Sequence, residues 1–407
     1  MSRRQSIDRR RFLINSSWVG AMGGLLSTRA FAQGRGAAQG QGVSLAQGAP
    51  APDVAVRVSS VADTPVRHFV MTQSYDLSAP QGSTGPMHLW VPLPENMLPY
   101  QVLRGVQWSG DYQSAAIATE PEFGAQSLFV QWDDCQGPMH LTVEMEIDTK
   151  DYLLGRNQIL AQYKMPDKLV YPAELQRFLA GSRHIKIDGI VRDKALEIIG
   201  DQTNPLVQAR LIHDWVAANM ERDNSVIGCG VGDVGDILQS GKLYGKCTDI
   251  NSVFVALARA VGIPAREMFG IRLGRPQQLE QYSKTAFGMA DDQGQAQNTD
   301  WQHCRAQFWL HDIGWVPCDP ADVTKMRLAE NKKHDDPAVQ AVNEDLFGNW
   351  EMNWVGFNCG RDFVLAPTPE QKPLNNYGYP YAEAGGDPLN YYDFANFSYD
   401  YTVVETT

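Results

Sequence analysis

No two of the six cysteines in this chain stand two residues apart, so no CxxC redox pair or zinc ribbon follows from local spacing. A calcium-loop pattern is missing too. Long apolar runs are scarce, and past residue 32 no stretch is apolar enough to span a bilayer. Basic residues are in deficit, 35 Lys and Arg against 47 Asp and Glu, for a net charge of −12. That balance favours solubility and disfavours nucleic acid or an anionic membrane as partner. It names no substrate.

What is present begins with "MSRRQSIDRRRFLINSSWVGAMGGLLSTRAFAQG". A basic head, a modest apolar stretch and the small-residue site Ala30-Phe31-Ala32 have the layout of a removable export signal over residues 1–32. The order Arg9-Arg10-Arg11-Phe12-Leu13 points to the twin-arginine route, with Asp8 and Ile14 departing from its usual pattern. The expectation is an exported, periplasmic protein. Cleavage there removes six arginines and one aspartate and takes the net charge from −12 to −17.

Residues 33–65, rich in Gly, Ala, Gln and Pro, read as a flexible linker. Over 66–151, short alternating runs such as "MHLWVPLP", "SLFVQW" and "HLTVEMEI" predict a small all-β domain. Helical signals follow. Asn204-Pro205 is a cap with proline at the first helical position. Val207, Leu211 and Trp215, flanked by Ile212 and Val216, then mark one apolar stripe, with His213 on the polar side. "IGCGVGDVGDILQSGKLYG" reads as a glycine-punctuated loop that brings backbone close to another group. It follows no strand, so a nucleotide cradle is the poorer reading.

"YGKCTDINSVFVALARAVGIPAR" predicts a helix whose buried face is Ile250, Val253, Phe254, Leu257 and Val261. Gly262 and Pro264 stop it, and Cys247 falls at its N-terminus. A cysteine on a helix usually just packs. At a helix start, though, free N–H groups and the dipole stabilise a thiolate. "EMFGIRLG" then reads as a strand and 275–300 as a surface loop. "HCRAQFWLHDIGWVPCDP" reads as a hairpin turning at 311–314. His303 and Asp319 share the midpoint 311, so a hairpin centred there sets them opposite each other on one face. A shift of the centre by one residue makes them a diagonal pair. The same centring puts Cys304 opposite Cys318, with thiols favoured over a geometrically demanding cross-strand disulfide. Residues 331–407 are aromatic-rich and are expected to pack back onto the core.

The two blocks "GKCTDINSVFVALARAVGIPAR" and "HCRAQFWLHDIGWVPCDPAD" resemble the transglutaminase-like superfamily of papain-like cysteine enzymes. The resemblance implies an α+β fold with a nucleophile helix packed on an antiparallel sheet, here over 152–330 and preceded by the β domain. It implies Cys247 as nucleophile, His303 as base and Asp319 as its orienter. It also implies thiolate attack on an amide of a peptide or protein, through a thioester acyl-enzyme, with no cofactor and no metal. Hydrolysis is the expected outcome. Protein cross-linking or amine incorporation, and a non-catalytic exported binding or assembly protein on the same fold, are the alternatives. The backbone N–H of Cys247 is the natural first oxyanion donor. Nothing in the sequence names the second, or the oligomeric state.

Overall fold

The computed structural model describes residues 38–39, 64–371 and 373–406. The export-signal expectation, and most of the linker, lie outside the described residues.

Period-two burial builds two antiparallel sheets. In Met139–Thr149, Leu141, Val143, Met145 and Ile147 point inward and alternate with more exposed polar residues. This strand lies between Gln101–Gly110 and Arg67–Leu77 in a six-stranded sheet. The second sheet has five strands, with Met87–Pro92 between Gln126–Trp132 and Tyr381–Ala384. The C-terminal segment therefore does more than cover the core. Its last strand, Phe397–Thr406, is inserted between Arg67–Leu77 and Gln295–Gln297 and completes the sheet that the N-terminal region begins.

The second layer is helical. Helices α1 (Ile190–Ile199), α2 (Pro205–Asn219), α3 (Val234–Ser240) and α4 (Cys247–Ala260) precede a four-stranded antiparallel sheet. Its order is Gly314–Cys318, Gln302–Leu310, Ala265–Arg272, Trp354–Asn358. Helices α5 (Pro320–Ala329) and α6 (Pro337–Asp345) follow the hairpin. α4 lies between the sheet and the other helices, so all fourteen of its residues are buried. Its polar side chains survive burial because each finds a partner. Asn251 Nδ2 donates to the Cys304 carbonyl at 2.9 Å and Ser252 Oγ to Glu267 Oε1 at 2.9 Å. Arg259 donates to the carbonyls of Ala265 and Ala180, each at 2.8 Å. Among the described residues no helix is long and apolar enough to cross a membrane.

Four expectations change. The Asn204 cap forms as expected and accepts from the Leu206 N–H at 2.9 Å. The buried face of α2, however, is Gln208, Ala209, Ile212, His213, Val216 and Ala217, while Val207 is exposed. Contact with α4 rotates the helix away from its most apolar stripe, and His213 packs edge-on to Phe254 and Phe347 in the core. The glycine loop contains the short helix α3, capped by Asp233. Part of the 275–300 loop is buried, with Phe287 and Asn298 inside and Gln295–Gln297 paired as a strand. Last, the hairpin pairs Leu310 with Gly314 and Ala306 with Cys318, so its centre is 312. His303 and Asp319 are thus diagonal, and Cys318 faces Ala306 instead of Cys304. All six cysteines are free thiols.

Candidate active site

Cys247 is the first residue of α4, where the helix has N–H groups without intrahelical acceptors. Asp249, two residues on, organises this end. Its carboxylate accepts from the N–H groups of Lys246 (2.9 Å), Val231 (3.1 Å) and Gly232 (2.8 Å). One side chain thus caps the helix and holds the glycine loop against it. The glycines are required there: a Cβ on Gly230, at φ +91°, lands 1.9 Å from Asp249 Oδ2. One on Gly232 lands 2.3 Å from Ser252 Oγ. The tight approach sets the Cys229 carbonyl 2.9 Å from the Thr248 N–H and brings the Cys229 thiol to Cys247.

His303 enters from the central strand Gln302–Leu310, held by Trp354 Nε1 donating to its carbonyl at 2.9 Å. Its Nε2 is 2.7 Å from Asp319 Oδ2, which leaves Nδ1 for the thiol. Asp319 is fully buried and caps α5, with Oδ1 accepting from the Asp322 N–H at 3.1 Å. The diagonal register still delivers the carboxylate because Asp319 sits one residue past the strand, where the chain turns into α5.

The electrostatics favour a thiolate–imidazolium pair. Hydrogen bonds from the Cys229 and Cys304 thiols, then from His303, outweigh burial and hold the Cys247 thiol well below its ordinary pKa. Burial opposes charge on His303, yet Asp322 and Asp319 together raise its pKa above the usual value. By contrast, burial pushes the thiols of Cys304 and Cys318 well up. One thiol is singled out.

Several contributors carry no signal in the sequence. Arg272, from the neighbouring strand, donates to Asp322 Oδ1 at 2.5 Å, and that oxygen is 3.4 Å from His303 Nε2. Tyr379 Oη donates to Cys229 Sγ at 3.2 Å. Asp322 alone was within reach of sequence reasoning, because it stands three residues after Asp319 in the first turn of α5. The donor atoms of His303, Asp319 and Asp322 lie within 4.8 Å of one another, a grouping of metal-site size. The Arg272 guanidinium already supplies a cation to it.

Cys247 and His303 line a cavity of about 310 Å³, to which the C-terminal segment contributes Tyr379, Tyr392 and Phe394. That volume is at the small end for ligand sites and suits a short peptide segment. A second cavity of about 280 Å³ adjoins it across Tyr379 and Tyr392.

Comparison with known proteins gives this geometry a family. The model of the transglutaminase-like superfamily core matches residues 192–320, a span that holds Cys247, His303 and Asp319. An uncharacterised protein of Haemophilus influenzae is 53% identical over 339 residues, 83% of this chain and 92% of its own. The chain belongs to the transglutaminase-like superfamily. Its fold is similar to that of a candidate cysteine protease from Cytophaga hutchinsonii, at a TM-score of 0.51 and 13% identity over 84% of this chain and 92% of that one. The periplasmic domain of TgpA from Pseudomonas aeruginosa also matches, at a TM-score of 0.30 and 13% identity over 67% of this chain and 92% of that one. Members of the superfamily are cysteine-dependent enzymes, and the two blocks that carry the resemblance in this transglutaminase-like chain are the helix start and hairpin described above.

Proposed function

We propose that this transglutaminase-like protein is an exported cysteine hydrolase that opens amide bonds in peptides or proteins, with Cys247, His303 and Asp319 as its triad. The observation that carries this is the continuous line from the Cys247 thiol through the His303 ring to Asp319 Oδ2, 2.7 Å from Nε2, at the floor of a cavity.

In this reading Cys247 Sγ attacks the amide carbonyl carbon and the C–N bond breaks. His303 Nδ1 gives its proton to the departing amine. A thioester remains. Water then attacks it, His303 takes up the proton, and the acid leaves as the thiolate is restored. Asp319 keeps the ring oriented and supports its positive charge. The oxyanion is held by the Cys247 N–H and by Gln302, whose side-chain amide nitrogen is buried without a partner in the cavity wall. Gln302→Ala is expected to lower kcat by about 10²–10³-fold.

Mass spectrometry of peptides and glutaminyl substrates, incubated with the protein with and without a primary amine, tests the reading. Acid products and a trapped acyl group on Cys247 are expected. Amine incorporated faster than acid forms would make the protein a transamidase. No product and no acyl-enzyme with any peptide would leave a binding role. Export is tested separately by finding the mature N-terminus near Gln33 and by Arg9→Lys with Arg10→Lys, which should block it.

A further inference from the structure

The cavity is electropositive in a chain of net charge −12. Arg222, Lys246, Arg272 and Lys325 all line it, against the single carboxylate of Asp300. Arg272 is already bonded to Asp322. Lys325 and Arg222 are not matched in this way. Among the described residues neither has a carboxylate within ion-pair distance, although both are only partly exposed. Lys325, on α5, stands 5.0 Å over the Trp301 ring. Arg222, from the short strand beside α5, donates to Asn224 Oδ1 at 3.0 Å.

We propose that Lys325 and Arg222 form a carboxylate-binding subsite beside Cys247, so that the amide opened by the enzyme lies next to a carboxylate of the same substrate. This rests on the thiolate reading of Cys247. An unpaired cation in a walled cavity focuses the field and attracts an anion more strongly than an exposed one does. Burial and the neighbouring Arg272 push the Lys325 pKa down to about 7, against the opposing pull of Asp322. A bound carboxylate would offset the cost. The aromatic wall, with Tyr392 and Phe394 partly exposed, would cover the apolar remainder of the substrate. The shared chemistry is a carboxylate, which can be the end of a peptide chain or an acidic side chain.

Two alkylating reagents that differ in charge test the subsite without knowledge of the substrate. The Cys247 thiolate displaces iodide from the carbon of either iodoacetate or iodoacetamide, and peptide mapping reads the label on that residue. The iodoacetate-to-iodoacetamide rate ratio should exceed that of a free cysteine peptide by about tenfold or more. Lys325→Gln and Arg222→Gln should each lower the ratio by about tenfold, and the ratio cancels any change in thiolate fraction. Two variants on different elements guard against one failing to fold. A wild-type ratio no higher than that of the free peptide overturns the subsite alone. No labelling of the folded protein by either reagent overturns the thiolate reading and the subsite with it. Peptide pairs then separate the sources: free against amidated C-termini, and Asp or Glu against Asn or Gln. A preference for the charged member in one pair, lost in Lys325→Gln, identifies the source. No preference in either pair overturns the proposal.

Discussion

A thiol at the first turn of a buried helix meets two opposed forces, desolvation of its anion and donors that stabilise it. At Cys247 the donors win, through Cys229, Cys304 and His303. The sign of the pH dependence follows. The depressed thiol pKa keeps the thiolate as pH falls below neutrality, and the raised His303 pKa keeps the imidazolium as pH rises past its usual value. Alkylation of Cys247 by iodoacetamide should therefore stay fast at mildly acidic pH, where an ordinary thiol of pKa about 8.5 is nearly all protonated. His303→Ala should slow it. Resistance to alkylation until the protein unfolds would make Cys247 a core residue. Asp322 is the next test. Removing its charge with Asp322→Asn takes support from the His303 imidazolium, so the upper limb of the turnover profile should move to lower pH. It also strands the buried Arg272 guanidinium, at a cost of about 3–5 kcal/mol by chemical denaturation. Cys247, His303 and Asp319 were legible as a candidate set because a helix start and a hairpin midpoint are local patterns. Arg272, Cys229 and Tyr379 were not, since only the folded sheet and loops bring them in from separate segments.

At the scale of elements, the loop ahead of α4 and the helix start form one unit. Gly230 has a left-handed φ of +91° and no room for a Cβ against Asp249, the residue that caps the helix. Gly241 has a similar φ of +68° but open space around it. The pair separates backbone strain from collision. Gly241→Ala should cost about 1 kcal/mol and leave Cys247 alkylation unchanged. Gly230→Ala should cost more, displace the Asp249 cap and slow alkylation at acidic pH, as followed by urea unfolding and peptide mapping. Equal effects would show that the close packing against Asp249 does not position the thiol. Periodicity located α4 and the hairpin well because each carries its own apolar pattern. The face of α2 was misread because the neighbouring helix α4, and not the summed hydrophobicity of the stripe, decides which residues are covered. Burying His213 while exposing Val207 is the visible result. The hairpin centre fell one residue from the midpoint because the tight turn joins Leu310 to Gly314, with Asp312 at φ +60°.

At the scale of the molecule, the β layers share an apolar cluster with one face of the core sheet, while Cys247 and the apolar residues of α4 belong to a second cluster. Phe69 and Val130 of the N-terminal sheets, Ile271 and Val355 of the core sheet and Tyr401 of the last strand all belong to a single buried cluster. The last strand also leads out of the loop that walls the cavity with Tyr392 and Phe394. Continuity of this kind was invisible in the sequence, since it joins residues more than three hundred positions apart, as in the Tyr75–Tyr401 hydroxyl contact of 3.0 Å. It predicts that the described residues from 64 onward unfold as one unit. Met71→Ala in the β layer and Leu257→Ala in α4 each remove a fully buried side chain and should each cost about 2–5 kcal/mol. Both should shift the same denaturation curve, whether it is followed by tryptophan fluorescence or by the loss of rapid Cys247 alkylation. A separate early transition in Met71→Ala, with the thiolate untouched, would show instead that the β layers fold independently of the site they border.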